Sequence, residues 1–236
     1  MKKGYIIVLC LLCSLTSFAQ TEKGKWKTLF NGKNLDGWEL TSRGKLAAAW
    51  VENGEIVCHQ VVNTAQHTFV RTKKKYADFI LEGDCKLDGD LHTAFLFRMI
   101  EAPDTAKVSL LGYQVKIDPT PRKWTGGVFD DFGNSWRWLH TLEDDARARE
   151  AFKMKEWNTF RIEAIGNTIK VWVNDIPTVH LINNKYDKGY IALKIHSMGN
   201  TPEKEKILVH FKNIKIMTKN VEKYKKQTDL VAKIFE

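Results

Sequence analysis

Short runs of alternating apolar and polar residues recur along the chain, and each is closed by a glycine, proline or asparagine turn signal. Phe79, Leu81, Gly83, Cys85 and Leu87 share one side of such a run, and Tyr113, Val115 and Ile117 share one side of another. A period of two is that of a half-buried strand, because successive side chains point to opposite faces. Trp50-Val51 and Ile56-Val57-Cys58 flank Asn53-Gly54, which predicts a hairpin. Further strands are predicted at 68–72, 93–99, 158–165, 169–174, 189–196 and 207–216. In the last, the parity of Ile207, Val209 and Phe211 shifts to Ile214 and Ile216 across Asn213, which predicts a bulge. Many short strands with frequent turns and few helices predict an all-β sandwich or barrel.

Two segments break the pattern. Residues 142–155 (LEDDARAREAFKMK) have no alternation and place acids early and bases late, which predicts a short surface helix. The tail 221–235 spaces Val221, Tyr224, Leu230, Val231 and Ile234 at loosely helical intervals and is expected to be helical. Residues 1–19 read as a signal peptide: Lys2-Lys3, an apolar run too short for a membrane span of ~20 residues, then Ser17-Phe18-Ala19. The expected organisation is therefore a leader at 1–19, one β domain at 20–218 and a C-terminal tail at 219–236. It implies an exported, periplasmic or secreted protein with no integral membrane segment after cleavage.

Removing Lys2 and Lys3 leaves 35 Lys and Arg against 28 Asp and Glu, a net +7. These charges are interleaved, as in Glu203-Lys204-Glu205-Lys206, and form no basic stripe with exposed aromatics, so nucleic acid is not an expected partner. Cys58 and Cys85 alone survive cleavage of the leader; two cysteines make no metal framework, and a disulfide and two buried thiols both remain open.

The chemistry-bearing residues concentrate in 112–131, GYQVKIDPTPRKWTGGVFDD. Pro119 and Pro121 stop a strand, Gly126-Gly127 permits a tight reversal, and around them stand Asp118, Arg122, Lys123, Trp124, Asp130 and Asp131. Carboxylates, cations and an indole around one loop suit a polar ligand. Trp124, Trp136 and Trp138 suggest a sugar, whose C–H faces lie on indole rings while carboxylates and amides bind its hydroxyls. Arg98, among Phe95, Leu96, Phe97 and Met99, is expected to be paired or aimed into a cleft. His196 ends the strand Ile191-Ala192-Leu193-Lys194-Ile195, where a neutral imidazole serves as base or ligand. No GxSxG, HExxH, glycine-rich phosphate loop or CxxC pair is present.

Taken in order, LFNGKNLDGW (29–38), WVENGEIVC, YADFILEGDCKL, GYQVKIDP, TGGVFDD, EWNTFRIEAIGNTIKVWVND, GYIALKIHSMG and VHFKNIKI resemble the 3-keto-disaccharide hydrolase family over nearly all of 29–217. The resemblance implies a concanavalin-like jelly-roll β-sandwich and cleavage of glycosides already oxidised to a ketone at C3. A 3-ketone acidifies the C2 proton, so a base removes it, the C1 substituent leaves by elimination, and water adds to the alkene. By matched position the resemblance implies His196 or Asp118 as base and Arg98 or Lys116 as enolate stabiliser. Gln114, Trp124, Asp130 and Trp138 would bind the sugar. No cofactor is demanded, and a divalent metal is an open alternative to a side-chain cation. Many relatives carry Glu and Gln where this chain has Gln114 and Lys116, and glutamine where it has Lys194. A non-catalytic carbohydrate-binding module and a conventional two-carboxylate glycosidase are the competing expectations.

Overall fold

The structure, a computed structural model, describes residues 26–60, 62–64, 66–131 and 136–235. The expected leader lies outside the described residues. Sixteen strands follow in chain order. They are β1 (Lys27–Thr28), β2 (Trp38–Thr41), β3 (Ala48–Glu52), β4 (Glu55–His59), β5 (Thr68–Tyr76), β6 (Phe79–Leu87), β7 (Thr93–Glu101) and β8 (Leu110–Ile117). After these come β9 (Val128–Asp131), β10 (Trp136–His140), β11 (Asn158–Ile165), β12 (Thr168–Val173), β13 (Ile176–Ile182), β14 (Gly189–Ile195), β15 (Leu208–Met217) and β16 (Lys233–Ile234). One sheet runs β16-β13-β12-β11-β6-β15-β4-β3, with β1 on β15, and the other runs β10-β9-β8-β7-β14-β5-β2. The fold is an all-β jelly-roll sandwich.

The alternation read from the sequence is what packs the two sheets together. Phe79, Leu81, Cys85, Leu87, Phe160 and Ile162 of the first sheet meet Phe95, Phe97, Tyr113, Val115, Ile191 and Leu193 of the second in one buried core. The Phe95 ring lies 5.2 Å from both Phe160 and Phe211 across the interface. Gly83 makes room for it: a Cβ there would stand 3.1 Å from the Phe95 ring. Asn53 and Gly54 both take positive φ in the β3–β4 hairpin, as a tight primed turn requires. The predicted bulge is present, with Asn213 at φ +53° and a register shift between Lys212 and Lys215. Cys58 and Cys85 are buried free thiols, and burial pushes Cys58 up to about 12.

Both helical segments are shorter than expected. Within 142–155 only α1 (Ala146–Arg149) is helical, capped by the Asp145 carboxylate, which accepts from the Ala148 N–H. The Asn158 side chain binds the backbone N–H and C=O of Lys153 and the C=O of Glu156, so these groups are lost to any continuing helix. The tail makes a single turn, α2 (Val221–Tyr224), and then runs extended to β16, parallel to β13. Side chains of the first sheet hold it: Arg161 donates to the Tyr224 carbonyl, Glu163 accepts from the Lys226 N–H, and Asn183 donates to the Phe235 carbonyl.

The outer face of the second sheet is only half covered. Phe69, Ala94, Leu96, Met99, Val108, Leu110 and Ala192 form a satellite apolar cluster there. Arg43 ties the covering segment down through the carbonyls of Ala102 and Pro103 and the Asp104 carboxylate. The other half of that face is open.

Candidate functional site

On the open half, β14 presents Lys194, and His196 just beyond it, to the outside, because Leu193 and Ile195 of the same strand point into the core. Strand β8 does the same with Gln114 and Lys116, against Tyr113, Val115 and Ile117. Register then assembles a row of side chains. Ile195 pairs with Thr68 of β5, Leu193 with Phe95 of β7, and Thr93 of β7 with Ile117 of β8. Continuing those registers places His67, His196, His92 and Asp118 side by side across four neighbouring strands. The rings of His67 and His196 are 4.4 Å apart, those of His92 and His196 5.8 Å, and His92 Nδ1 stands 3.6 Å from an Asp118 oxygen.

These histidines line a cleft of about 410 Å³ with Lys116, Lys194, Arg122, Phe129 and Trp138. Lys116 and Lys194 are almost entirely buried, at 6% and 3% exposure. Lys194 Nζ lies 3.2 Å from Gln114 Oε1, and Lys116 Nζ 5.6 Å from the Phe129 ring. Trp138 meets Trp124 and Phe129 edge-on at 5.2 and 5.4 Å, and the Arg122 guanidinium sits over both indoles. This wall offers a sugar an apolar face beside polar groups.

The cleft keeps its imidazoles neutral. Burial first, then the charges of Lys194 and Lys116, hold His196 well below its ordinary value. Burial and the same lysines, together with His196, lower His67. His92 is lowered by burial and Lys116, partly opposed by Asp118. Burial alone would raise the Asp118 carboxyl, but hydrogen bonds from Thr120 and Arg122 outweigh it and hold it below the usual carboxylate range.

Of the residues expected to carry chemistry, His196, Lys116 and Trp138 line this cleft, while Gln114 is bonded to Lys194 and Trp124 packs on Trp138 behind the lining. Asp118 stands beside it, buried and bound to Thr120 and Arg122, with an oxygen 3.6 Å from His92 Nδ1. Arg98 does not join them. It occupies a bulge of β7 at φ +50°, 1% exposed, and donates to the carbonyls of Ala77, Gly166 and Tyr186 and to Asp78. Asp130 also departs from expectation. It shares the inward parity of Val128 and is buried against Lys185 Nζ at 2.6 Å and the Tyr186 hydroxyl at 3.2 Å. The side chains of Asp131 and Trp136 lie outside the described residues.

His67 and His92 carry no signal in the sequence, since each stands alone one residue before a strand, and Lys194 stands out there only as a departure from the family pattern. The parity of Lys194 with His196 was the available signal. For a divalent metal the residues do not fit: among the described residues no group of three or more His, Cys, Asp or Glu side chains could hold one. Nδ1 of both His67 and His196 is already engaged by Ser197.

Similar architectures are known. A Parabacteroides distasonis ATCC 8503 protein described as a candidate glycosyl hydrolase superposes with a TM-score of 0.59 at 18% identity, covering 83% of this chain and 94% of its own. The carbohydrate-binding module CBM66 from Bacillus subtilis gives 0.54 at 16% identity, covering 77% and 95%. The Emp46p carbohydrate recognition domain gives 0.55 at 14% identity, covering 82% and 99%. At these identities the likeness is one of fold. No curated protein matches the sequence. The family described as the 3-keto-alpha-glucoside-1,2-lyase-like domain, however, matches residues 25–217. The alternating sheets, the half-open face and the sequence blocks that build them therefore have one common source: the chain belongs to the 3-keto-alpha-glucoside-1,2-lyase-like family.

Proposed function

We propose that the protein is an exported carbohydrate-active enzyme that cleaves 3-keto-glycosides by elimination across C1 and C2, followed by hydration. The observation that carries this reading is the convergence of neutral imidazoles with two buried lysines in one aromatic-walled cleft. Proton abstraction beside a ketone needs an uncharged base within reach of C2 and a positive environment for the enolate oxygen. His196 is the proposed base. Its Nδ1 faces the Ser197 carbonyl at 2.8 Å, and a carbonyl only accepts, so Nδ1 carries the hydrogen and Nε2 keeps its lone pair. Lys116 and Lys194 supply the positive environment, and Trp138 and Phe129 the sugar platform. A conventional glycosidase would set two carboxyl groups against each other across the groove. Among the described residues lining the cleft, none is a carboxylate.

The test is aglycone release from matched 3-keto and unoxidised glucosides by the purified protein. Release from the keto sugar alone is expected, with His196→Ala slower by about 10²–10⁴, the usual contribution of a general base. Release from both sugars would indicate a conventional glycosidase. Binding without release would indicate a carbohydrate-binding module. Export is checked separately, by fractionating cells that express the full chain.

A further inference from the structure

We propose that His67 is a second catalytic residue, a neutral hydrogen-bond donor that reads the C3 ketone opposite the base His196. This rests on the function proposed above and assigns the substrate's carbonyl oxygen to a residue that no motif announced.

The backbone of one residue, Ser197, sets the two rings in opposite tautomers. The Ser197 carbonyl accepts from Nδ1 of His196 at 2.8 Å, while the Ser197 N–H donates to Nδ1 of His67, also at 2.8 Å. His196 is therefore left with a lone pair on Nε2, and His67, whose Nδ1 lone pair is occupied, carries its hydrogen on Nε2. The rings are 4.4 Å apart, tilted by 53°, and line the same cleft. A backbone group cannot be replaced by mutation or rotated like a side chain, so the asymmetry is built into the fold. The arrangement offers an acceptor and a donor side by side. A C3 ketone and its C2–H need that pair, since the ketone oxygen only accepts and the C2 proton must be removed.

In the proposed step the C2–H bond breaks and its proton passes to His196 Nε2. The electron pair forms C2=C3 and places negative charge on O3, which accepts a hydrogen bond from His67 Nε2–H. Re-formation of the C3 carbonyl then makes C1=C2 and breaks the C1–O bond, and the departing oxygen takes the proton held by His196. His67 keeps its own proton throughout. A neutral imidazole acting as electrophile in an enolisation is an established device.

The tautomers are read directly by ¹⁵N NMR of the histidine-labelled full chain at neutral pH. The expected result is His196 protonated at Nδ1 and His67 at Nε2. His67→Phe is expected to slow both deuterium exchange at C2 of a 3-keto-glucoside and aglycone release by about 10²–10³, the cost of removing one oxyanion donor. His67→Gln, which keeps an N–H donor, should recover at least tenfold of this. The proposal is overturned by a His67 resonance of the Nδ1–H form, by C2 exchange at the wild-type rate in His67→Phe, or by a folded His67→Gln as impaired as His67→Phe. If the wild-type protein neither exchanges C2 nor releases the aglycone, the proposed function itself falls.

Discussion

Lys116 and Lys194 each act twice on the imidazoles beside them. As cations they lower the proton affinity of His196, and as buried positive charges they favour an anion developing in the cleft. Replacing either by methionine keeps most of the apolar stem and removes the charge. Lys194→Met and Lys116→Met are each expected to lower kcat by about 10²–10³. They should also move the acid limb of the pH–rate profile upward, because a histidine relieved of a neighbouring cation binds its proton more readily. A fall in kcat with an unmoved limb would mean that the lysine serves binding geometry and not the electrostatics of His196. Lys116 and Lys194, two of the positions at which the sequence departs from the family pattern it resembles, line the same cleft, and Gln114, a third, accepts from Lys194.

The β7 bulge explains why Arg98 reads as functional in sequence and is structural in the fold. A register shift between Phe97 and Ile100 turns the Arg98 side chain away from the cleft and under the loops at Ala77, Gly166 and Tyr186. Gly189 of β14 allows the approach: a Cβ there would stand 2.3 Å from the Arg98 carbonyl carbon. Arg98→Met would remove the bonds to the carbonyls of Ala77, Gly166 and Tyr186 and the ion pair with Asp78, which keeps its bond from the Gly166 N–H. A loss of about 1.5–3 kcal/mol is expected in urea unfolding, the size of a charge-assisted hydrogen bond. The rate constants of the folded fraction should be unchanged. A stable Arg98→Met with impaired turnover would return Arg98 to the catalytic set. The tail and 142–155 teach the same lesson about elements. The tail's loosely helical spacing and the charge gradient of 142–155 both favoured helix, but Arg161, Glu163, Asn183 and Asn158 offer backbone groups better-placed partners than another turn.

For the whole molecule, the histidines held neutral make stability depend on pH. His67, His92, His140 and His196 all have lowered proton affinity in the folded state. Below about 6.5 the unfolded chain binds protons that the folded chain refuses, so unfolding gains free energy as pH falls. The stabilisation is full above that value and declines below it. Calorimetry should show a lower Tm at pH 5.5 than at 7.5, with part of the difference abolished in His67→Phe. A Tm that is flat or rising over that range would contradict the neutral assignment of the cleft.

Local pattern in the sequence determined which residues face inward, because a period of two and the turn residues act over a few positions. It therefore determined the sandwich, the Asn53-Gly54 hairpin, the Asn213 bulge and the outward parity of Lys116, Lys194 and His196. What only the tertiary structure decided is which outward residues become neighbours. His67, His92 and His196 are far apart in the chain and meet because β5, β14, β7 and β8 are adjacent in the sheet. Strand order is set by how the whole core closes, not by any stretch of alternation, and the same closure supplies the distant partners that bind Arg98 and Asp130.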